Sequence, residues 1–232
     1  MHKTIGILGG MSPESTKEYY EYITRTYTAR FGDHSYPEII IYSVSFQTYM
    51  DWQKQERWDL VAQGLSAAAQ KLEAAGADFI IIAANTIHLI LDQVQASLSI
   101  PVLSLLDALG QAILAQGIST VGLLGTRFTM EKPFYRDALR QKGITALLPE
   151  ADDRERVNAI IFGELIAGLI RDQSRAEFIA IIHKLVAQGA EGIVLGCTEI
   201  PLLVREADVE IPLFNTTVIH AEAALNYALQ AG

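Results

Sequence analysis

One cysteine, two tryptophans and seven prolines in 232 residues set the first limits. Cys197 alone can make neither an internal disulfide nor a multi-thiolate metal cage. A chain that makes so little use of cysteine is expected in a reducing cytoplasm. Basic residues are scarce too: 18 Lys and Arg stand against 27 Asp and Glu, a net charge of -9. That balance argues against a broad nucleic-acid or anionic-membrane surface, while leaving room for a local basic pocket. No apolar run reaches the ~18 residues of a membrane span. The opening "MHKTIGILGG" runs straight into a strand, without the charged, apolar and cleavage regions of a secretory signal. No two of the five histidines have metal-ligand spacing. "GILGGM" is not GxGxxG, Glu38 begins the second strand where an acid is wanted at its end, and no phosphate loop is present, so nucleotide binding is not expected.

What is present is a pattern used twice. "GILGG" from Gly6 returns as "GLLGT" from Gly122, with Tyr19 and Tyr135 keeping the same spacing. "KLEAAGADFIIIAANT" from Lys71 returns as "KLVAQGAEGIVLGCTE" from Lys184, and "SIPVL" returns as "EIPLF". The blocks keep their order and their separation drifts by only a few residues. Two similar halves follow, not a solenoid, whose period would be ~20–50 residues.

Each half alternates strands and helices. Strands are expected at Thr4–Leu8, Glu38–Val44, Asp78–Ala83, Thr120–Leu124, Thr145–Leu148 and Gly192–Leu195. The nearly continuous apolar run at Asp78–Ala83 suits a parallel sheet covered on both faces. Helices are expected from Ser12-Pro13-Glu14, over Trp58–Ala75, Met130–Gln141, Arg154–Ile170 and Arg175–Gln188, and at Val218–Gln230, which could return to the first half. The fold class is α/β: two similar doubly wound domains, 1–107 with 216–232 and 108–215, related by pseudo-twofold symmetry.

Open parallel sheets take ligands beyond the carboxyl ends of their strands. Those ends are Gly9-Gly10-Met11-Ser12, Ala84-Asn85-Thr86, Gly125-Thr126 and Cys197-Thr198-Glu199. The repeat pairs Ala84 with Cys197, Asn85 with Thr198 and Thr86 with Glu199. A symmetric arrangement would turn the two corners toward one cleft, with the polar residues facing a ligand. A helix starting near Pro201 would favour Cys197 as thiolate, although a lone cysteine also serves as a small buried hydrophobe. His88 reads either as a core histidine or as a partner of the Asn85–Thr86 corner. His220 reads as a packing or capping residue, and His2, His34 and His183 as surface residues. Tyr19, Tyr20, Tyr22 and Tyr27 form a helix face or a dimer contact.

"GILGGMSPEST", "ANTIH", "LLGT", "GCTEI" and "IHAEAAL" together resemble the aspartate/glutamate racemase superfamily, in its amino-acid racemase branch. The resemblance runs over essentially the whole chain. It implies a cofactor-independent racemase of two α/β domains with the active site between them, usually a homodimer, acting on a small amino acid such as aspartate or glutamate. In that family two cysteines flank the substrate Cα, one removing a proton and the other donating one. Cys197 matches the second cysteine, whereas Ala84 stands where the first, or in some members a threonine, is found. The resemblance further assigns Met11, Ser12, Asn85, Thr86, Thr126, Thr198 and Glu199 to the substrate site. It places Gln53 at the side-chain carboxylate, a position that is arginine in other members. The expected activity is interconversion of L- and D-aspartate, impaired by Ala84. The alternatives are a single-cysteine decarboxylase of the arylmalonate type and a non-catalytic protein that binds acidic amino acids.

Overall fold

The computed structural model describes residues 2–230, and the chain divides into two compact units, 1–105 with 217–232, and 106–216. The first unit opens with β1 (Ile5–Gly9), α1 (Pro13–Phe31), β2 (Ile39–Ser43), α2 (Phe46–Lys54), α3 (Trp58–Ala74) and β3 (Phe79–Ile82). A 3-10 turn (Thr86–Ile90), α4 (Leu91–Gln95) and β4 (Val102–Leu103) complete this stretch. All four strands are parallel, in the order β2-β1-β3-β4, with Ile5 level with Ile39 on one side and Phe79 on the other. The period of two explains both faces of this sheet. Leu8, Ile80 and Ile82 point to α3, whose apolar positions Val61, Leu65, Ala68 and Leu72 fall on one helical stripe. Ile5, Ile7, Phe79 and Ile81 point to the opposite layer with Tyr19 and Ile23 of α1.

The second unit carries α5 (Leu105–Ala115), whose first residue closes the preceding stretch, then β5 (Thr120–Gly125), α6 (Arg127–Glu131), α7 (Pro133–Gln141), β6 (Thr145–Leu147) and α8 (Ala151–Gly163). After a 3-10 turn at Leu165–Ala167 come α9 (Asp172–Ala187), β7 (Gly192–Gly196), α10 (Ile200–Leu203) and β8 (Leu213–Asn215). The sheet is again parallel, in the order β6-β5-β7-β8. The two halves therefore share one topology, as the repeated sequence blocks imply. The last helix, α11 (Thr216–Leu229), belongs to the first unit and lays Ala221, Ala224, Leu225 and Ala228 against the Ile5–Phe79 layer. Small residues there let the helix approach the sheet closely.

Two expected elements need correction. The single helix over Met130–Gln141 is two, broken at Lys132, because Pro133 lacks an N–H and holds Lys132 extended at ψ 143°. The helix expected to run to Ile170 stops at Gly163 and gives way to the 3-10 turn, which ends at Gly168 with φ 72°. The β2 strand lies at the sheet edge with Ile41 exposed, whereas β3, expected to be covered on both faces, is buried throughout. The tyrosine stripe of α1 is a packing face: Tyr19 and Tyr27 are buried, and Tyr22 donates to Glu222 of α11 at 3.0 Å.

Candidate active site

In both sheets the strand order reverses direction between two neighbours: β1 and β3 in the first unit, β5 and β7 in the second. Ligands of open α/β sheets bind just beyond such reversals. The paired ends are level, Leu8 with Ile82 and Gly125 with Gly196.

Beyond β1 the chain makes a turn that only glycine permits. Gly10 has φ 94°, and a Cβ there would lie 2.4 Å from the Val44 carbonyl oxygen. The Gly10 N–H donates to Thr16 Oγ1 at 2.8 Å, and that hydroxyl donates to the Ser12 carbonyl at 3.0 Å. Thr16, one turn into α1, thus closes the loop that carries Met11 and Ser12. Ser12 caps α1, its Oγ accepting from the Ser15 N–H at 3.3 Å, with Pro13 and Glu14 in the first turn. Met11 is buried and Ser12 half-buried. The helix start therefore presents amide donors and a positive dipole end, which suit a carboxylate.

Beyond β3, Ala83 is still tied to β1 through its N–H to the Leu8 carbonyl at 3.0 Å. Ser15 Oγ donates to the Ala83 carbonyl at 2.8 Å, so α1 also braces this second corner. Ala84 and Asn85 are buried and Thr86 is half-buried at the start of the 3-10 turn. Gln53 lies half-buried near the end of α2, which follows the carboxyl end of β2.

In the second unit Thr126 caps α6, its Oγ1 accepting from the Thr129 N–H at 3.3 Å. The chain leaves β7 through Gly196 into Cys197, Thr198 and Glu199. Glu199 is 8% exposed and turns back over its own neighbours. Its Oε2 accepts from Cys197 Sγ–H at 3.0 Å and from the Thr198 hydroxyl at 2.7 Å. The thiol is pushed well above its usual range, first by burial and then by the facing Glu199 carboxylate. Amides of Thr198 and Glu199 oppose this and do not win. Here the thiolate expectation fails. The helix after Cys197 has four residues and begins at Ile200, so the sulfur gains less from a helix end than it loses to desolvation and the neighbouring anion. Cys197 rests as a thiol, the form that donates a proton.

Both open histidine readings resolve in the first unit. His88 is buried; its Nδ1 meets the Ala84 carbonyl at 2.9 Å and its Nε2 accepts from the Leu105 N–H at 3.0 Å. His220 is fully buried between the Tyr19 hydroxyl at 2.8 Å and the Leu103 carbonyl at 3.0 Å. A carbonyl can only accept and an amide only donate, so His88 carries its proton on Nδ1 and His220 on Nε2. Burial, with a smaller push from His88, lowers His220 to about 3. His2, His34 and His183 are exposed as anticipated. Sequence reasoning overlooked Ser15 and Thr16; both stand one turn into α1 beneath the loops they hold, which is the signal that could have found them.

A family profile for Asp/Glu/hydantoin racemases matches residues 8–224. The chain belongs to that family. It is 27% identical to the broad specificity amino-acid racemase RacX of Bacillus subtilis, with 96% of each chain covered. Among solved structures, a candidate Asp/Glu racemase from Yersinia pestis is 46% identical with a TM-score of 0.93, covering 98% of this chain and all of that one. An aspartate racemase homologue from Pyrococcus horikoshii is 39% identical with a TM-score of 0.87, covering 98% and 99%.

Proposed function

We propose that this chain is a cofactor-independent amino-acid racemase for aspartate or glutamate, running its proton chemistry from Cys197 alone. The observation that carries this reading is the repeated corner: Cys197-Thr198-Glu199 ends β7 where Ala84-Asn85-Thr86 ends β3, at the same place in one shared topology. Family membership and the likeness to an amino-acid racemase support it. In this reading both corners serve one substrate. The Met11–Ser12 turn, Asn85 and Thr86 take the α-carboxylate and amine, Gln53 takes the side-chain carboxylate, and Thr126 and Thr198 supply further polar contacts.

Carbanion formation at Cα is difficult without an electron sink, so amide and hydroxyl donors must stabilise the charge that moves onto the carboxylate. Cys197 first passes its proton to the Glu199 carboxylate across the 3.0 Å contact. The thiolate then takes the Cα proton and becomes a thiol again. Return of a proton from the same sulfur restores the starting configuration, and inversion needs a donor on the other face. The Ala84 methyl has no proton to give. The native chain should therefore exchange Cα–H with solvent faster than it inverts the centre. L- and D-aspartate, incubated separately in deuterium oxide and followed by proton NMR and chiral chromatography, test this. Deuterium entry with little inversion is expected for one enantiomer. Binding with no deuterium entry into either would overturn the catalytic reading and leave a binding protein.

Because Cys197 rests as a thiol, a second reading has support: protonation of a carbanion left by decarboxylation of a disubstituted malonate. Carbon dioxide release from such a malonate would favour it. The proposed homodimer is tested by sedimentation.

A further inference from the structure

The buried pair His88 and His220 takes no part in the proposed proton transfers, yet one of the two touches the backbone of the candidate corner. Beyond β3 the chain winds as a 3-10 turn, so the His88 N–H goes to the Asn85 carbonyl at 3.1 Å. In an α-helix that N–H would have gone to the Ala84 carbonyl, four residues back. The His88 side chain supplies the missing donor instead: Nδ1–H meets the Ala84 carbonyl at 2.9 Å. Across the ring, Nε2 accepts the Leu105 N–H at 3.0 Å, one of the amides at the start of α5 that intrahelical bonding leaves unsatisfied. The ring itself is held from turning. His220 packs edge-on at 5.7 Å between centroids, itself fixed by Tyr19 and Leu103.

We infer that His88 is a positioning residue: its imidazole sets the peptide plane between Ala84 and Asn85, and with it the aim of Asn85 and Thr86 toward the ligand. Ser15 does the same for the preceding carbonyl, so two successive peptide planes beyond β3 are fixed by side chains and not by regular structure. A corner built this way keeps its amide and hydroxyl in place before the ligand arrives, which lowers the ordering cost of binding. The ligand part of this inference rests on the proposed substrate class; the backbone part does not.

Two variants separate the two bonds. His88→Asn keeps a donor at the Nδ1 position and loses the Leu105 acceptor. His88→Gln keeps an acceptor at the Nε2 position and loses the Ala84 bond. Calorimetry with L-aspartate should show a dissociation constant raised roughly tenfold in H88Q, one lost hydrogen bond's worth. In H88N it should stay within about threefold. Unchanged affinity in H88Q, or equal losses in both variants, would overturn the positioning role. Amide hydrogen exchange on the ligand-free protein gives a readout that does not depend on substrate. H88Q should lose protection at residues 85–88 and keep it at Leu105; H88N should do the reverse. If the native chain binds neither aspartate nor glutamate, the substrate reading fails while the exchange pattern still decides the inference. Unchanged protection over 85–88 in H88Q would end it.

Discussion

His220 provides a prediction whose size comes directly from its surroundings. The imidazole is completely buried, and burial lowers it from 6.5 to about 3. In the unfolded chain it titrates near 6.5, so between those values the unfolded state binds the extra proton. Unfolding free energy therefore rises with pH across that window. The contribution is complete above about 6.5 and is lost as pH falls toward about 3. The slope reaches about 1.4 kcal/mol per pH unit once the unfolded imidazole is fully charged, which gives roughly 2.3 kcal/mol between pH 6.5 and 4.5. The lowered carboxylates Asp59, Glu73, Glu177, Glu191 and Glu222 protonate first in the unfolded chain and add slope of the same sign toward pH 4.5, which cancels when the native chain is compared with a variant. Urea titrations at half-unit pH steps measure it. Both tryptophans, Trp52 and Trp58, lie in the unit that holds His220, so their fluorescence follows the relevant transition. His220→Gln will be less stable near neutral pH, because Tyr19 and Leu103 lose their partner, and the gap will narrow as pH falls because only the native chain carries the buried imidazole. The test is the slope: it should flatten by about one proton in the variant. An unchanged slope between pH 6.5 and 4.5 would show that His220 is not held neutral.

Removing the carboxylate beside the thiol should change its titration. In Glu199→Gln the thiol should titrate lower, and iodoacetamide labelling of this single cysteine, followed by mass spectrometry over pH, reads the midpoint. A midpoint that stays in place would mean that burial alone sets the thiol. Gly10→Ala adds a Cβ at φ 94° against the Val44 carbonyl and should destabilise the first unit by roughly 2 kcal/mol or more. Thermal unfolding followed by tryptophan fluorescence measures that, and a loss under half a unit of this scale would mean the turn relaxes freely.

Much of this architecture could be read from the repeat. Blocks that recur in order imply one topology used twice, and strands that end in small or polar residues mark the reversal points. The departures have local causes. Pro133 carried the signal for a helix break, but the apolar spacing across Met130–Gln141 masked it. The state of Cys197 was the hardest to read. Spacing can place a helix start near sulfur, but it cannot show that Glu199 folds back to accept from the residue two before it. His88 was ambiguous for a similar reason: its second partner, Leu105, is brought to it by the turn of the chain through β4. The resemblance supplied the residue types at the corners, and the structure supplied their hydrogen-bond states.

The most direct measurement compares inversion with exchange at Cα in the native chain and in Ala84→Cys. Restoring a proton donor at position 84 should raise the inversion rate about a hundredfold or more, the usual scale for a positioned acid, and bring it level with deuterium entry. If Ala84→Cys binds aspartate as the native chain does and inverts it no faster, the two-faced account of this site is wrong.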